Sequence, residues 1–431
     1  MTHLLSKYFS KIEFAELPQK VFLFSFVNQS IVSLSIDEYS KIVNDQFNDL
    51  PCQLQKELTS YGFIVKNHLE DFYKLKYFYN KSAYANKIGS LTLVTTMECN
   101  LSCYYCIQNH MKKNSRLTEE RTKSVTMWLD RWLTNSKLEK MIVNVIGGEP
   151  FLNMSPVWEV NKVLKSSKVA DYGFNFITNG TLIDEDILCE LTELPVTSVQ
   201  LTFDGDRESH NKVKHFEGQG TYDKLIHAAN LLVSNGIPLD IRINYPKGNI
   251  DFAMKALEQL AVTLKHKTGV NVYFAHIVDD NYLHMQCHAF NKEYDNLKIL
   301  FERSLQLGFR MPNPVSSIVC LGESDSSFVI DPDCKVYKCY NGVGVANADF
   351  GYIRNGQLFV DSYKQLTRDV SPRCLDCKYL PICHGGCHLK KNLAVNDDYN
   401  ACQLAVYDYI ENDLLPLFVK QIISQQSLFK G

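Results

Sequence analysis

Between residues 90 and 277 the chain alternates short, β-rich apolar runs with longer amphipathic stretches. Six runs read as strands, at 90–97, 141–147, 174–180, 198–205, 239–245 and 270–277. Each is followed by a segment whose apolar positions recur with helical spacing, as at 118–134 and 221–234. Repeated strand–helix units of this kind predict an α/β fold with a parallel sheet joined by crossover helices. Several of these strands end in Gly, Asn, Asp or Cys, at the sheet edge where such folds gather their working loops.

The two ends of the chain follow other patterns. An apolar run at 21–34, helical spacing at 36–47 and 53–61, and the closing Gly62-Phe63-Ile64-Val65 predict a small α+β segment over the first 85 residues. Beyond Arg310 the strand–helix rhythm stops. A stretch dense in Cys and punctuated by Gly and Asp runs to Cys402, and a last helix is predicted over 403–426. That density of ligands predicts a region in which metal replaces a hydrophobic core. The expected divisions are 1–87, 88–310 and 311–431.

Composition narrows the classes. With 431 residues, 45% hydrophobic and 22% charged, the chain can bury more than one core. Forty-five Lys and Arg against 48 Asp and Glu give a net charge of −3, and no long basic block tracks a phosphate backbone, so no nucleic-acid partner is expected. The most apolar stretch, 21–27, is far too short to cross a bilayer, and neither a membrane segment nor an export signal is expected. A cytoplasmic location follows, and there fourteen cysteines point to metal or redox chemistry rather than to disulfides.

Cys99, Cys103 and Cys106 stand as C-x3-C-x2-C directly after the first strand. Three thiolates on one tight loop can hold three corners of a cubane iron–sulfur cluster and leave its fourth iron open. The plain alternative is a zinc knuckle, but three cysteines without a nearby fourth ligand make a poor closed tetrahedral site.

This loop, with Tyr105 before its last cysteine, resembles the signature of the radical S-adenosylmethionine (SAM) enzymes. Gly147-Gly148-Glu149-Pro150 at the end of the second strand resembles that family's GGEP motif, which binds the amino group of the cofactor. Asn179 in Thr178-Asn179-Gly180, and Thr202 and Asp204 in the run ending Asp204-Gly205, with His210-Asn211 after it, resemble the strand-end contacts to ribose and carboxylate. Arg242 and Asn244 on the fifth strand add polar groups. Each piece alone is a common turn signal; their joint order on successive strands is specific. The resemblance implies a partial, six-stranded (βα)6 barrel. It also implies SAM as cofactor, cleaved reductively at the open iron to a 5′-deoxyadenosyl radical that takes hydrogen from an unactivated carbon.

The later cysteines, Cys320, Cys334, Cys339, Cys374, Cys377, Cys383, Cys387 and Cys402, resemble the SPASM extension of enzymes of this family that mature peptides and proteins. By position in that pattern, Cys374, Cys377, Cys383 and Cys402 would ligate one auxiliary [4Fe-4S] cluster and Cys320, Cys339 and Cys387 another, for three clusters in all. Zinc sites fit some of the same spacings. Cys334 stands where the extension has a glycine, as either a fourth ligand or a turn residue. Tyr340 stands where sulfatase maturases carry an aspartate proposed as the general base, and Lys214, four residues after His210, where related sequences often have arginine. Cys52, Cys189 and Cys287 lie outside both arrays and read as small buried residues. With Tyr337 and Tyr340 they are the candidates for a radical quencher.

The amino-terminal segment resembles the leader-recognition module of enzymes that modify ribosomally made peptides, which pairs an edge strand with an extended peptide; a capping domain would share its pattern. The function implied is a radical SAM maturase that crosslinks a precursor peptide through a carbon–carbon or thioether bond, with a leader-bearing peptide and a flavodoxin- or ferredoxin-type electron donor as partners. The alternatives are a sulfatase-maturating enzyme making formylglycine, and a non-catalytic iron–sulfur carrier or zinc-stabilised scaffold.

Overall fold

Alternation along the six central runs becomes six parallel strands in the computed structural model, which describes residues 4–85, 87–106, 114–246, 248–277, 295–315, 320–367, 370–393 and 402–428. They are β1 (Ile88–Val94), β2 (Lys140–Ile146), β3 (Asp171–Thr178), β4 (Val196–Asp204), β5 (Leu239–Pro246) and β6 (Val270–Ile277). Each pairs in parallel with its chain neighbour, from β1 with β2 through to β5 with β6. Crossover helices follow where expected, including Glu119–Asn135, where the Thr118 hydroxyl accepts from the Arg121 N–H as an N-cap, and Tyr222–Ser234. On β4, Val199, Leu201 and Phe203 are fully buried, as are Leu225, Ala228, Ala229 and Leu232 of the helix Tyr222–Ser234 that packs on this strand. The side chains between them, Gln200 and Thr202, are half-buried on the other face.

The sheet does not stop at β1. Four further strands, β7 (Ser327–Ile330), β8 (Lys335–Tyr337), β9 (Asp349–Arg354) and β10 (Gln357–Val360), extend it in the order β6-β5-β4-β3-β2-β1-β7-β8-β9-β10. β7 runs parallel to β1, and the others return antiparallel. This stretch buries Phe328, Val329, Ile330, Val336, Tyr337, Phe350 and Ile353, so residues 327–360 have an ordinary apolar core and do not depend on metal to replace one. The expectation is corrected here because strands of three to six residues, split by a tight turn and a β-bulge, leave almost no periodicity to read.

Packing divides the chain into two units. One holds Met1–Asn86, Asn313–Asp325 and Arg368–Val419; the other holds Lys87–Pro312, Ser326–Thr367 and Lys420–Gly431. In the first, strands Phe9–Glu13, Lys20–Ser25 and Ile31–Ser35 form an antiparallel sheet with the last-named pair as a hairpin. Helices Ile36–Val43 and Cys52–Ser60 follow, the former closed by a Ser35/Glu38 capping box. Val21, Leu23, Val32, Leu34, Ile42, Leu58 and Phe63 share one core. A helix at His68–Tyr84 was not expected; Leu69, Tyr73 and Tyr77 on its exposed side blur its apolar stripe. The cysteine-rich segment joins this unit through Tyr8, Leu75 and Leu380, and through the ring of Phe26 against Tyr379. The closing helix runs as Leu404–Tyr409 and Leu415–Leu428 with a π-turn, Ile410–Leu414, between them and Pro416, which has no N–H to donate to the ladder, two residues after it.

Candidate functional site

The barrel's cysteine loop grows from the end of β1. Gly148 N–H donates to the Thr96 carbonyl and Glu149 N–H to the Glu98 carbonyl, both at 2.8 Å, so the end of β2 is fastened to the base of the loop. The glycines are required by that approach. A Cβ on Gly147 would lie 2.5 Å from Thr96 O, and one on Gly148 would collide with Glu98 O. What comes close to the two glycines is thus the chain's own backbone. Cys99 Sγ accepts from Leu101 N–H at 3.3 Å and from Asn179 Nδ2 at 3.7 Å, and Cys106 N–H closes a turn onto the Cys103 carbonyl at 3.1 Å. Burial pushes the Cys99 thiol up and that of Cys103 up to about 11, with Lys214 opposing at Cys103. Cys99 is exposed and Cys103 and Cys106 are half-buried; a sulfur that accepts N–H hydrogen bonds, as Cys99 does, suits an iron–sulfur cluster, whose own charge would hold the three as thiolates.

Glu149 is fully buried, beside the buried Pro150. Its carboxylate accepts from Thr178 Oγ1 at 2.8 and 2.9 Å, Asn179 N–H at 2.8 Å and Phe151 N–H at 3.2 Å. Burial pushes its pKa up to about 7 against those donors. It therefore ties the β2 and β3 loops together, and with Asn179 bound to Asn100 Oδ1 at 2.8 Å it sets where that amide meets Cys99. Thr178 and Asn100 are part of this web as well. Thr178 was legible within its motif; nothing in the sequence marked Asn100.

Across the barrel mouth, the Tyr105 hydroxyl lies 2.7 Å from both oxygens of the fully buried Asp204. Asn244 Nδ2 donates to Asp204 Oδ1 at 2.9 Å and to the Tyr105 oxygen at 3.2 Å, and Arg242 Nε orients Asn244 through Oδ1 at 2.8 Å. Lys214 Nζ stands 3.1 Å from Asp204 Oδ2 and donates to the Thr202 carbonyl at 2.8 Å. Burial works against the Asp204 charge, but Lys214, Tyr105 and Asn244 hold its carboxyl below the usual range. His210 Nδ1 accepts from Asp204 N–H at 3.1 Å. Because the Thr221 hydroxyl donates to the Lys214 carbonyl, it is left to accept from His210 Nε2 at 3.2 Å. That fixes a neutral imidazole, whose pKa burial and Lys214 push down to about 3.

Below this mouth one face of the sheet is polar. Asn175 donates to Asn144 Oδ1 at 3.1 Å, Tyr273 to Gln200 Oε1 at 2.6 Å, and Asn271 to Asp240 Oδ1 at 2.8 Å. Such a lining orients a polar ligand by hydrogen bonds.

In the other unit Cys374, Cys377, Cys383 and Cys402 line one concavity with Tyr379, Leu380 and Tyr407. Their placement follows from tight turns, Cys377 N–H onto the Cys374 carbonyl at 3.1 Å and Cys383 N–H onto the Tyr379 carbonyl at 2.8 Å, with His384 at φ +54° letting the chain reverse. Burial pushes Cys383 up to about 11, and Cys377, Cys402 and Cys374 add to the effect, so the four sulfurs feel one another. Cys377 is raised the same way.

Residues 93–260 match the Radical SAM superfamily. The chain carries a radical SAM domain. It is 26% identical to mycofactocin maturase MftC of Mycolicibacterium smegmatis over 324 residues, 70% of this chain and 78% of that one. Among solved structures, native anSMEcpe with bound AdoMet superposes with a TM-score of 0.60 at 20% identity over 77% of this chain and 98% of that one. Streptococcus suis SuiB bound to S-adenosylmethionine gives 0.53 at 13% identity, over 92% of this chain and 98% of that one. The protein is therefore an enzyme of the radical SAM type, with the partial-barrel fold and a cysteine-rich C-terminal region.

Within this radical SAM enzyme the remaining candidates fall as follows. Cys334 is buried in the β7–β8 turn at φ +63°, a backbone position that favours glycine, with its sulfur 4.0 Å from the Arg121 carbonyl. Cys339 caps the turn Tyr340–Gly342 in the barrel unit. Cys320, before Leu321–Glu323, and Cys387, before the helix His388–Leu393, belong to the first unit. Tyr337 is buried with its hydroxyl 3.0 Å from Asp331 Oδ2, whereas Tyr340 is half-exposed and its charge reaches Tyr273 of the polar face. Cys52 and Cys189 are exposed, not buried, because both stand on outward faces of surface helices. Cys287 lies outside the described residues. Among the described residues no helix is long and apolar enough to cross a membrane.

Proposed function

We propose that this enzyme is a peptide maturase that abstracts hydrogen from a residue of a ribosomally made precursor and installs a carbon–carbon or thioether crosslink. The observation that carries the reading is the pairing of two different cysteine sites in one chain: a three-thiol loop over a polar barrel face, and a four-thiol concavity packed into the unit that holds the amino-terminal sheet. Cys99, Cys103 and Cys106 would hold the radical cluster, and Gly147, Gly148, Glu149, Pro150, Asn179, Thr202, Asp204, Tyr105 and Arg242 would surround SAM. When bound, that pair supplies a 5′-deoxyadenosyl radical. The chain's own work is positional. The glycines fasten the loop, Asn179 meets Cys99, the Tyr105–Asp204 contact spans the mouth, and the polar face orients the substrate.

Cys374, Cys377, Cys383 and Cys402 would hold an auxiliary [4Fe-4S] cluster that takes the electron left after bond formation; a second, on Cys320, Cys339 and Cys387, rests on spacing alone. Cys334 fits the turn role better than the ligand role. An outer strand of the amino-terminal sheet would take the leader by strand addition, and a flavodoxin or ferredoxin would supply electrons in the cytoplasm. The division at 87 and 310 is then one of labour rather than of packing. A sulfatase maturase is the second reading, which Tyr340 in place of an aspartate disfavours.

The test is the accurate mass of a short peptide encoded beside this gene, co-expressed at low oxygen with the intact enzyme or with Cys99→Ala. A loss of two hydrogen atoms per crosslink, only with intact enzyme, is expected. An unchanged peptide alongside continued 5′-deoxyadenosine release would refute crosslinking and redirect the search to epimerisation or sulfatase substrates.

A further inference from the structure

The most heavily buried charges of the barrel unit sit beside the cysteine loop, and the reading above gives one of them no task. The Lys214 side chain is 5% exposed and its Asp204 partner 0%. Burying such a pair contributes little to stability, since a well-packed apolar pair does as well. Two of the three Lys214 N–H donors are fixed, on Asp204 Oδ2 and on the Thr202 carbonyl. The same carboxylate grips the hydroxyl of Tyr105, which lies in the loop between Cys103 and Cys106. The ammonium is thus held in place relative to the loop sulfurs by two rigid contacts in a dry environment.

We propose that Lys214 is a positioning residue for the radical cluster, the fixed buried cation that raises the reduction potential of a cluster held by Cys99, Cys103 and Cys106. The inference rests on that loop being the cluster site. Its physics is direct: reduction adds negative charge to the cluster, and a nearby cation in low dielectric stabilises the reduced form more than the oxidised one. Asp204 opposes it from the other end of the pair. The two partners therefore carry opposite signs of effect, which a purely structural role would not give.

The experiment is a redox titration of the anaerobically reconstituted full chain, followed by electron paramagnetic resonance, with iron content measured in parallel. The loop cluster is identified as the signal that Cys99→Ala removes. Lys214→Met should shift its midpoint to more negative potential, Asp204→Asn to more positive, and Lys214→Arg should keep it near wild type. Should Lys214→Met fail to fold around an unpaired Asp204, the double variant Lys214→Met/Asp204→Asn removes both charges and should fall below Asp204→Asn. Shifts in one direction for both single variants, or none in protein that retains the signal, overturn the proposal. A wild-type chain with no signal that depends on Cys99 overturns the cluster assignment and the proposal with it.

Discussion

The cysteine loop after β1 and the concavity of Cys374, Cys377, Cys383 and Cys402 are both built from short turns, yet they surround their sulfurs differently. At the loop polar groups stand close to the sulfurs: Asn179 and a backbone N–H reach Cys99, and Tyr105, Asp204, Lys214 and Asn244 form a closed network beside it. The concavity instead has four sulfurs among Tyr379, Leu380, Leu404 and Tyr407. A site that must admit a cofactor to an open position needs oriented polar groups around it, whereas a closed site needs only a full set of ligands and cover from solvent. The lesson is that sulfur count and surroundings carry the same message about which site does chemistry.

The comparison can be broken most sharply at the loop. Cys99→Ala should reduce 5′-deoxyadenosine release to background in the reduced, reconstituted enzyme; release at the wild-type rate would sink the assignment. Cys374→Ala with Cys377→Ala should lower bound iron by about four atoms per chain. That variant should spare cofactor cleavage but stop net peptide modification, and full product formation would remove the auxiliary role from the concavity. A smaller effect is expected from Tyr105→Phe, which strips one donor from a buried carboxylate and should cost about 1–3 kcal/mol of unfolding free energy, read as a lower denaturant midpoint. An unchanged midpoint would mean that the hydroxyl does not hold the loop. Comparable in size, but seen only in acid, is a pH effect at His210, whose pKa falls from 6.5 to about 3 on folding. Its contribution to stability is complete above pH 6.5 and is lost as pH falls toward 3. Between pH 6.5 and 5 that is about 2 kcal/mol. Urea unfolding of His210→Gln should show a shallower acid limb by that amount, and parallel curves would contradict a neutral imidazole in the network.

Much of this was legible beforehand. The strands β1 to β6 announced themselves because a parallel sheet covered by helices on one face repeats the same apolar signal six times. Cys99, Cys103 and Cys106 needed only adjacency in the chain. The glycines of Gly147-Gly148 were legible as a close approach, but that their neighbour is the Thr96–Glu98 backbone was not, since the contact joins segments about fifty residues apart. Exposure of Cys52 and Cys189 was also hidden, because a cysteine's type says little about which helix face it occupies.

Taken alone, the amino-acid sequence determined the β–α rhythm, the local spacing of both cysteine arrays and the order of polar residues at the strand ends, because each is fixed within a few residues by periodicity or turn chemistry. Only the tertiary structure decided that residues 327–360 extend the barrel sheet over an apolar core. It alone grouped the four-cysteine turn with the amino-terminal sheet, and bound Tyr105, Asp204, Lys214 and Asn244 into one network. Those pairings join residues up to several hundred positions apart, and they are selected by which buried surfaces and buried charges can satisfy one another, a choice that no local pattern encodes.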